Sequence, residues 1–171
     1  MVGQAPGSRA HASGHPWRDA SGEHLIEWLG VSRAEFDDPE RFGILSMGFC
    51  YPGRGASGDK PPPSVCAQAW HGPLMEALEG PALIMLVGMY AQQHYLAGRR
   101  KQTLTETVRA FRDYGPVLFP LPHPSWRSRL WMRRNPWFAA EVLPSLQKAV
   151  AEALSGVGNE VPAGNRSSKS E

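Results

Sequence analysis

The run Ala82-Leu83-Ile84-Met85-Leu86-Val87 carries the clearest secondary-structure signal in the chain, and Gly88 ends it. Every residue of the run is apolar. A short apolar run without polar alternation is typical of a strand buried on both faces, as in a parallel sheet covered by helices. The run therefore favours an α/β fold in which Ala82 to Val87 is an inner strand.

Helix and strand patterns alternate on both sides of this strand. Capping residues at helix starts and glycines at helix ends set the predicted limits. In chain order we predict helices from Ser21 to Leu29, from a Ser32 cap to before Pro39, from Ser64 to Leu78, from Met89 to Leu96, from Thr103 or Thr105 to Tyr114, from Ser125 to Arg134 and from Pro136 to about Leu154, and further strands from Phe42 to Phe49 and from Pro116 to Leu121. This order favours a three-layer α/β/α sandwich with a short central parallel sheet, which binds ligands at the carboxyl ends of its strands.

The start of the chain is unusual for such a fold. Gly3-Gln4-Ala5-Pro6-Gly7 is typical of a tight turn after a strand, where glycines let a ligand approach the backbone. Only Met1 and Val2 precede this turn. We therefore expect either that the natural start lies upstream or that the sheet is built without this strand. Residues 8 to 20 are expected to be irregular.

Composition indicates one globular domain followed by a tail. The chain has 171 residues, of which 42% are hydrophobic and 20% charged. We expect the domain to cover residues 1–154, and residues 155–171, rich in Gly, Ser, Asn and charge, to form a disordered tail. No apolar run is long enough to cross a bilayer, and the start lacks a signal-peptide pattern. With only two cysteines, a reducing compartment is indicated, and we expect a cytoplasmic monomer without a membrane partner.

Positive charge is concentrated in one part of the chain. Residues 99–134 hold nine Lys or Arg but only two acids, whereas residues 19–40 hold seven acids and one base. This separation favours an anionic partner for residues 99–134. A Gly/Pro-rich loop from Tyr51 to Pro63, long for a compact domain, is expected to be functional or mobile.

The stretch from Leu121 to Asn135 lies inside the basic segment and contains His123 between two prolines. Because each proline fixes its own φ, this imidazole is carried on a stiff backbone. Four arginines follow it, interleaved with Trp126, Leu130 and Trp131. A rigid histidine beside a cationic, aromatic surface suits chemistry on a nucleic-acid base. The alternative is a proline-rich turn followed by a solvated arginine face. Judged on these residues alone, this alternative is favoured. Four of the other five histidines, His11, His24, His71 and His94, show no ligand spacing and are expected at the surface or at the edge of the core.

Several motifs nevertheless occur in an order that resembles a known family. Three loops, at residues 3–7, 50–63 and 121–127, follow the ends of strands. In a parallel sheet they would therefore lie at the same edge. Gly-Gln-Ala-Pro-Gly at 3–7 and His-Pro-Ser at 123–125 resemble the two signature motifs of the uracil-DNA glycosylase superfamily. Phe-Cys-Tyr-Pro-Gly at 49–53, Leu-Thr-Glu-Thr at 104–107 and Asn-Pro-Trp-Phe at 135–138 resemble one bacterial branch, related to iron–sulfur members. The resemblance covers roughly residues 1–154.

The resemblance implies a uracil-DNA glycosylase-like fold and a DNA repair glycosylase. Such an enzyme flips a deaminated base, uracil or a relative, out of DNA and hydrolyses its N-glycosidic bond. His123 would donate a hydrogen bond to uracil O2 as the base leaves. By the same resemblance Gln4 joins His123 in catalysis, Gly3, Ala5, Trp17 and Ser46 bind the base, and Ser125, Arg127, Arg129 and Leu130 bind DNA.

Departures from the family pattern leave other functions open. Ala5 stands where some branches carry an aspartate that activates water, and Ser46 stands where many carry an asparagine that reads the uracil edge. Gly7 stands where some members carry a bulky residue that rejects thymine, and Trp126 replaces a frequent proline. The alternatives are a non-catalytic nucleic-acid-binding relative of the same fold and, less favoured, a nucleotide-binding protein that uses the glycine turn.

Cys50 and Cys66 take a meaning from the same resemblance. Iron–sulfur branches have two cysteines around a loop of this kind and a Cys-x-x-Cys pair upstream of the first motif, which together supply the four thiolates of a [4Fe–4S] cluster. Loss of an N-terminal segment would explain both the missing pair and the missing first strand. We therefore expect a cluster only in a longer parent chain, and thiols without a ligand in this one.

Overall fold

The computed structural model of the chain describes residues 1–56, 58–78 and 80–156. The strands are β1 Val2–Gly3, β2 Leu45–Ser46, β3 Arg54–Gly55, β4 Gly58–Asp59, β5 Ile84–Val87 and β6 Leu118–Leu121. The helices are α1 Ser8–Ser13, α2 Ala20–Leu29, α3 Arg33–Phe36, α4 Ser64–Ala77, α5 Met89–Leu96, α6 Leu104–Arg109, α7 Trp126–Arg134 and α8 Leu143–Leu154. Short 3₁₀ turns occupy Ala97–Arg99 and Phe111–Tyr114, and a π-helical turn at Phe138–Val142 leads into α8. Most of the predicted tail, residues 157–171, lies outside the described residues.

Four parallel strands form the central sheet in the order β2-β1-β5-β6. The side chains of β5 alternate between two cores on opposite faces of this sheet. Met85 and Val87 pack into the core that α2 and α8 share, whereas Ile84 and Leu86 pack into the core that α4 and α5 share. Helices therefore cover both faces, and the predicted α/β/α sandwich with a short parallel sheet is confirmed.

The first strand is present in the sheet, although it is only two residues long. Val2 pairs with Leu45 on one side and with Leu86 on the other, so β1 is an inner strand. The expectation of a sheet built without this strand was therefore wrong. The Met1 amine is buried and donates a hydrogen bond to the Gly43 carbonyl at 2.7 Å, and burial lowers its pKa from 8.0 to about 6.

The predicted strand from Phe42 to Phe49 was too long. Only Leu45 and Ser46 are extended and paired, because β2 lies at the edge of the sheet and its neighbour β1 offers two residues. The segment from Tyr51 to Pro63, predicted as a loop, also contains β3 and β4, which pair as an antiparallel hairpin.

Helix starts follow the capping residues with one correction. Ser32 was predicted as a cap, as was Thr103 with Thr105 as its alternative, and Ser32 and Thr103 each form a capping box with a glutamate three residues later. Helix α2, however, is capped by Asp19 rather than Ser21, because the Asp19 carboxylate accepts from the Gly22 N–H at 2.9 Å. Residues 8–20 were expected to be irregular but contain α1, none of whose residues is buried. The helix predicted to reach Tyr114 ends at Arg109 and continues as a 3₁₀ turn.

None of the helices in the described ranges combines the length and the apolar character that a bilayer span requires.

Two backbone segments of this fold, at Trp17 and at Gly22, approach each other closely. Trp17 has a positive φ of 60°, which is uncommon for a residue other than glycine. Its carbonyl lies against Gly22 in the first turn of α2, and a Cβ at Gly22 would stand 1.7 Å from the Trp17 carbonyl oxygen. Only glycine fits at this crossing.

We expect Gly22→Ala to lower the free energy of unfolding by about 1–3 kcal/mol, because the added methyl group collides with backbone and not with a movable side chain. Gly98→Ala is the control, since no atom lies within 4 Å of a Cβ at Gly98. Urea denaturation followed by tryptophan fluorescence measures both variants. Equal midpoints for the two would contradict the close packing of Trp17 on α2.

Candidate active site

A cleft of about 470 Å³ opens at the carboxyl ends of β1, β2 and β6. Its walls come from the glycine turn after β1, the segment between α1 and α2, the end of β2, the β3–β4 hairpin and the turn between β6 and α7. A second hollow of about 450 Å³ lies at the opposite edge of the sheet, around Met1 and Leu83, and none of the predicted site residues lines it. The first cleft is therefore the candidate active site.

Most of the predicted site residues meet in this cleft. Its lining includes Gly3, Gln4, Ala5, Trp17, Ser46, His123, Ser125 and Arg127. Arg129 and Leu130 do not line the cleft but lie exposed on α7, next in the chain to its edge. Cys50 is exposed and Cys66 half-buried in the first turn of α4, and neither lines the cleft. The roles given to these residues remain predictions.

His123 follows the end of β6 and is partly buried. Gly88, with a φ of 87°, lies beside it: a Cβ at Gly88 would stand 3.7 Å from the His123 Cβ. Burial lowers the pKa of His123 below 6.5, and the negative charges of Asp19 and Asp59 oppose that shift only in part. The imidazole is therefore neutral at pH 7 and keeps one N–H to donate.

The Trp17 indole forms part of the cleft wall beside the glycine turn. Its ring centroid lies 5.7 Å from that of His123, with 34° between the two planes. The same indole rests on Gly3, where an added Cβ would stand 3.2 Å from Cζ2. Beside Gly7, in contrast, no atom lies within 4 Å of an added Cβ. The cleft thus offers an aromatic face next to a polar donor, with open space at Gly7.

The backbone of Ser46 is hydrogen-bonded to a buried histidine, His71. The His71 Nε2 lies 2.9 Å from the Ser46 carbonyl oxygen, and the His71 Nδ1 lies 2.8 Å from the Tyr95 hydroxyl. Because a carbonyl only accepts, Nε2 carries a proton and donates to Ser46, and in a neutral imidazole Nδ1 then accepts from the Tyr95 hydroxyl. Burial raises the pKa of Tyr95, which keeps its hydroxyl protonated. His71 was expected at the surface or at the core edge, and instead it is buried and anchors the end of β2.

Two carboxylates in the cleft were missed by sequence reasoning. Asp19 and Asp59 both line it. One oxygen of Asp19 caps α2, and Oδ1 of Asp59 accepts from the Tyr51 hydroxyl at 3.2 Å. Asp19 could have been found as an alternative cap two residues after Trp17. Asp59 gave no signal, because a charged residue in a Gly/Pro loop is usually solvated.

Helix α7 carries a cationic, aromatic surface away from the cleft edge. Trp126 is 77% exposed and Leu130 53% exposed, and the Arg127 guanidinium lies over the Trp126 ring at 5.2 Å. The helix is fixed to α6 by a hydrogen bond of 2.9 Å from the Trp131 indole N–H to the Thr105 hydroxyl. This surface can bind phosphates and stack on bases.

We searched residues 1–56, 58–78 and 80–156 for side chains that could hold a metal ion or an iron–sulfur cluster. No group of three or more His, Cys, Asp or Glu side chains in the described part of the chain is arranged to hold a metal ion. The whole sequence holds two cysteines, whereas a [4Fe–4S] cluster takes four thiolates. The cluster expected for a longer chain remains a prediction.

Comparison with known protein families identifies a match over most of the chain. The model of a family described as the Uracil DNA glycosylase superfamily matches residues 1–147. The match covers both signature motifs, the elements of the central sheet and every residue that lines the cleft.

Because the pKa of His123 is lowered in the folded protein, this side chain should reduce the free energy of unfolding at acidic pH. The unfolded chain binds a proton at this imidazole at about pH 6.5 and the folded chain only at lower pH, so stability falls as pH decreases below about 6.5. We expect His123→Gln to show a shallower loss of melting temperature between pH 7 and pH 5 than the wild type. Exchange of the exposed His11 for glutamine is the control and should keep the wild-type slope. Parallel curves for wild type and His123→Gln would contradict the burial of the neutral imidazole.

Proposed function

Because the chain belongs to the uracil-DNA glycosylase superfamily, we propose that it is a DNA repair glycosylase that hydrolyses the N-glycosidic bond of uracil or a related deaminated base. Membership in the family itself indicates a glycosylase-type hydrolase that acts on DNA. One observation supports the proposal that the substrate is uracil or a related base: Trp17, Ser46, His123 and the glycine turn line the same cleft.

A base inside duplex DNA cannot reach this cleft, so the target nucleotide is flipped out of the stack. The cleft, at about 470 Å³, has room for a pyrimidine and part of its sugar. The Trp17 indole would stack on the base, and the Ser46 hydroxyl would contact its polar edge. Backbone N–H groups of residues 3–7 would hydrogen-bond the base or its phosphate.

The bond to be broken joins C1′ of the sugar to a ring nitrogen of the base. Its electron pair leaves with the base, which becomes an anion, and the sugar becomes a cation that water then attacks. The neutral imidazole of His123 would donate to the oxygen on which the negative charge develops. Ala5 cannot act as a base, and Gln4 can orient a water without deprotonating it. Asp19 and Asp59 are the carboxylates in the cleft that would stabilise the sugar cation.

The α7 surface would bind the DNA on either side of the flipped nucleotide. Ser125 and Arg127 line the cleft and Arg129 and Leu130 follow on the exposed part of the helix. Guanidinium groups bind phosphates without reading sequence, and an exposed apolar side chain can fill the gap that a flipped base leaves in the stack.

We expect His123→Ala to slow uracil excision by about a hundredfold to a thousandfold while DNA affinity is nearly unchanged, because it removes a donor to the developing charge. Gln4→Ala should cost less, since it loosens only a water or base contact. The assay is strand cleavage by alkali after single-turnover incubation of uracil-containing oligonucleotides with excess protein. Parallel reactions of Asp19→Asn and Asp59→Asn compare the two carboxylates.

Two outcomes would change this proposal. Full activity in His123→Ala would contradict the proposal that His123 donates a hydrogen bond to the leaving base. Absence of excision by the wild type, together with DNA binding, would favour a non-catalytic relative that binds nucleic acid, as the residues Ala5 and Ser46 already suggest. Oligonucleotides with hypoxanthine or with thymine opposite guanine extend the assay to other bases, because the space beside Gly7 does not exclude larger ones.

The α7 arginines are expected to bind DNA through its phosphates. Replacement of Arg127 and Arg129 by alanine should weaken binding to all sequences alike and lower the slope of log affinity against log salt by about two. Lys148→Ala on α8 is the control, because Lys148 is exposed and does not line the cleft. Fluorescence anisotropy of a labelled duplex at several salt concentrations measures all three proteins. Unchanged affinity of the double variant at low salt would contradict the assignment.

A further inference from the structure

Gln92 is a polar residue in α5 with no exposed surface. Its Nε2 donates a hydrogen bond of 2.8 Å to the Leu121 carbonyl and a longer one of 3.4 Å to the Leu86 carbonyl. Leu121 is the last residue of β6, two residues before His123. A side chain from the helix that follows β5 is thus bonded to the strand that delivers the candidate catalytic histidine.

The Leu121 carbonyl is a junction of three elements. It accepts from Gln92 and also from the Gly88 N–H, at 2.9 Å. Gly88 is the residue that ends β5, caps α5 and lies beside the His123 side chain. The end of β5, the first turn of α5 and the end of β6 are therefore fixed to one another next to His123.

The orientation of the Gln92 amide follows from its partners. Both neighbours of Nε2 are carbonyl oxygens, which only accept, so the amide cannot be turned over. Its Oε1 is consequently buried, and it finds no hydrogen-bond donor among the described residues. A buried acceptor without a partner costs free energy, and an apolar side chain of similar shape would avoid that cost. Stability alone therefore does not account for glutamine at this position.

We propose that Gln92 is a positioning residue whose amide fixes the Leu121 carbonyl and thereby sets the place of the His123 imidazole in the cleft. This inference rests on the proposed function of His123. Gln92 touches neither the base nor the sugar; it acts through the backbone of residues 121–123. The stiff prolines at 122 and 124 transmit the position of Leu121 to the imidazole, because each fixes its own φ.

The test replaces Gln92 by methionine, which keeps the length of the side chain and lacks the amide. We expect single-turnover excision to slow by about tenfold to a hundredfold through misplacement of the imidazole, with DNA affinity unchanged. The melting temperature should stay equal or rise, because the unpaired oxygen is removed together with the donor. The adjacent Gln93→Met is the matched control, since Gln93 is exposed on the same helix.

A measurement on the free protein separates this inference from the proposed function. The imidazole ¹H–¹⁵N signals of His123, assigned by their loss in His123→Gln, should shift in Gln92→Met and remain in place in Gln93→Met. This result supports the positioning role even if the wild type excises no base. Unchanged His123 signals in Gln92→Met would overturn it. A large fall in melting temperature in both Gln92→Met and Gln92→Leu would also overturn it, because Gln92 would then be needed for folding.

Discussion

The pairing of β5 with β1 on one side and with β6 on the other is the constraint on which the rest of the molecule depends. β5 is buried along its whole length, and its side chains enter both cores in turn. Because these pairings are parallel, they bring the carboxyl ends of the strands to one edge. Gly3, Gly88 and His123 converge there from segments far apart in the chain, so the cleft is a consequence of strand register.

Close approach of backbone segments then gives the cleft its shape. Trp17 can form a wall only because Gly3 leaves room for its indole and Gly22 leaves room for its carbonyl. The positive φ of Trp17 is an additional conformational cost that the surrounding packing must offset. Such a cost is expected where a side chain has to be held in one orientation toward a ligand. Both glycines therefore act by leaving space: a Cβ at Gly22 would displace backbone, whereas a Cβ at Gly3 would require the indole to shift slightly.

The features that sequence reasoning predicted are those encoded locally. The β5 strand follows from an unbroken apolar run, the start of α6 from Thr103, one of the two caps predicted for it, and the start of α7 from Ser125. The convergence of the two motifs followed from the family resemblance and the parallel order. What was missed depends on partners distant in sequence. Val2 and Gly3 are too few residues to show a hydrophobic periodicity. They form a strand because they pair with β2 on one side and with β5 on the other.

The same distinction applies to the polar residues of the site. His71 looked like one of several scattered histidines, because its partners Ser46 and Tyr95 lie on other elements. Asp59 looked solvated, because only the β3–β4 pairing brings it over the cleft. Burial and hydrogen-bond partners identify these residues, and neither quantity can be read from the chain in one dimension.

The cleft is lined by two carboxylates, Asp19 and Asp59, together with one guanidinium and one imidazole. Under the proposed mechanism the sugar becomes positive and the base negative, so one site must stabilise both signs. A protonated His123 would be drawn to Asp19 and Asp59 and would cancel the field that favours the sugar cation. Burial outweighs those carboxylates and keeps the imidazole neutral, so that its N–H stays available for the base. The arginines of α7 beyond Arg127 lie outside this small volume, where they can attract phosphates without neutralising the carboxylates. Because Arg127 also lines the cleft, a neutral imidazole keeps His123 from adding a second positive charge near Asp19 and Asp59.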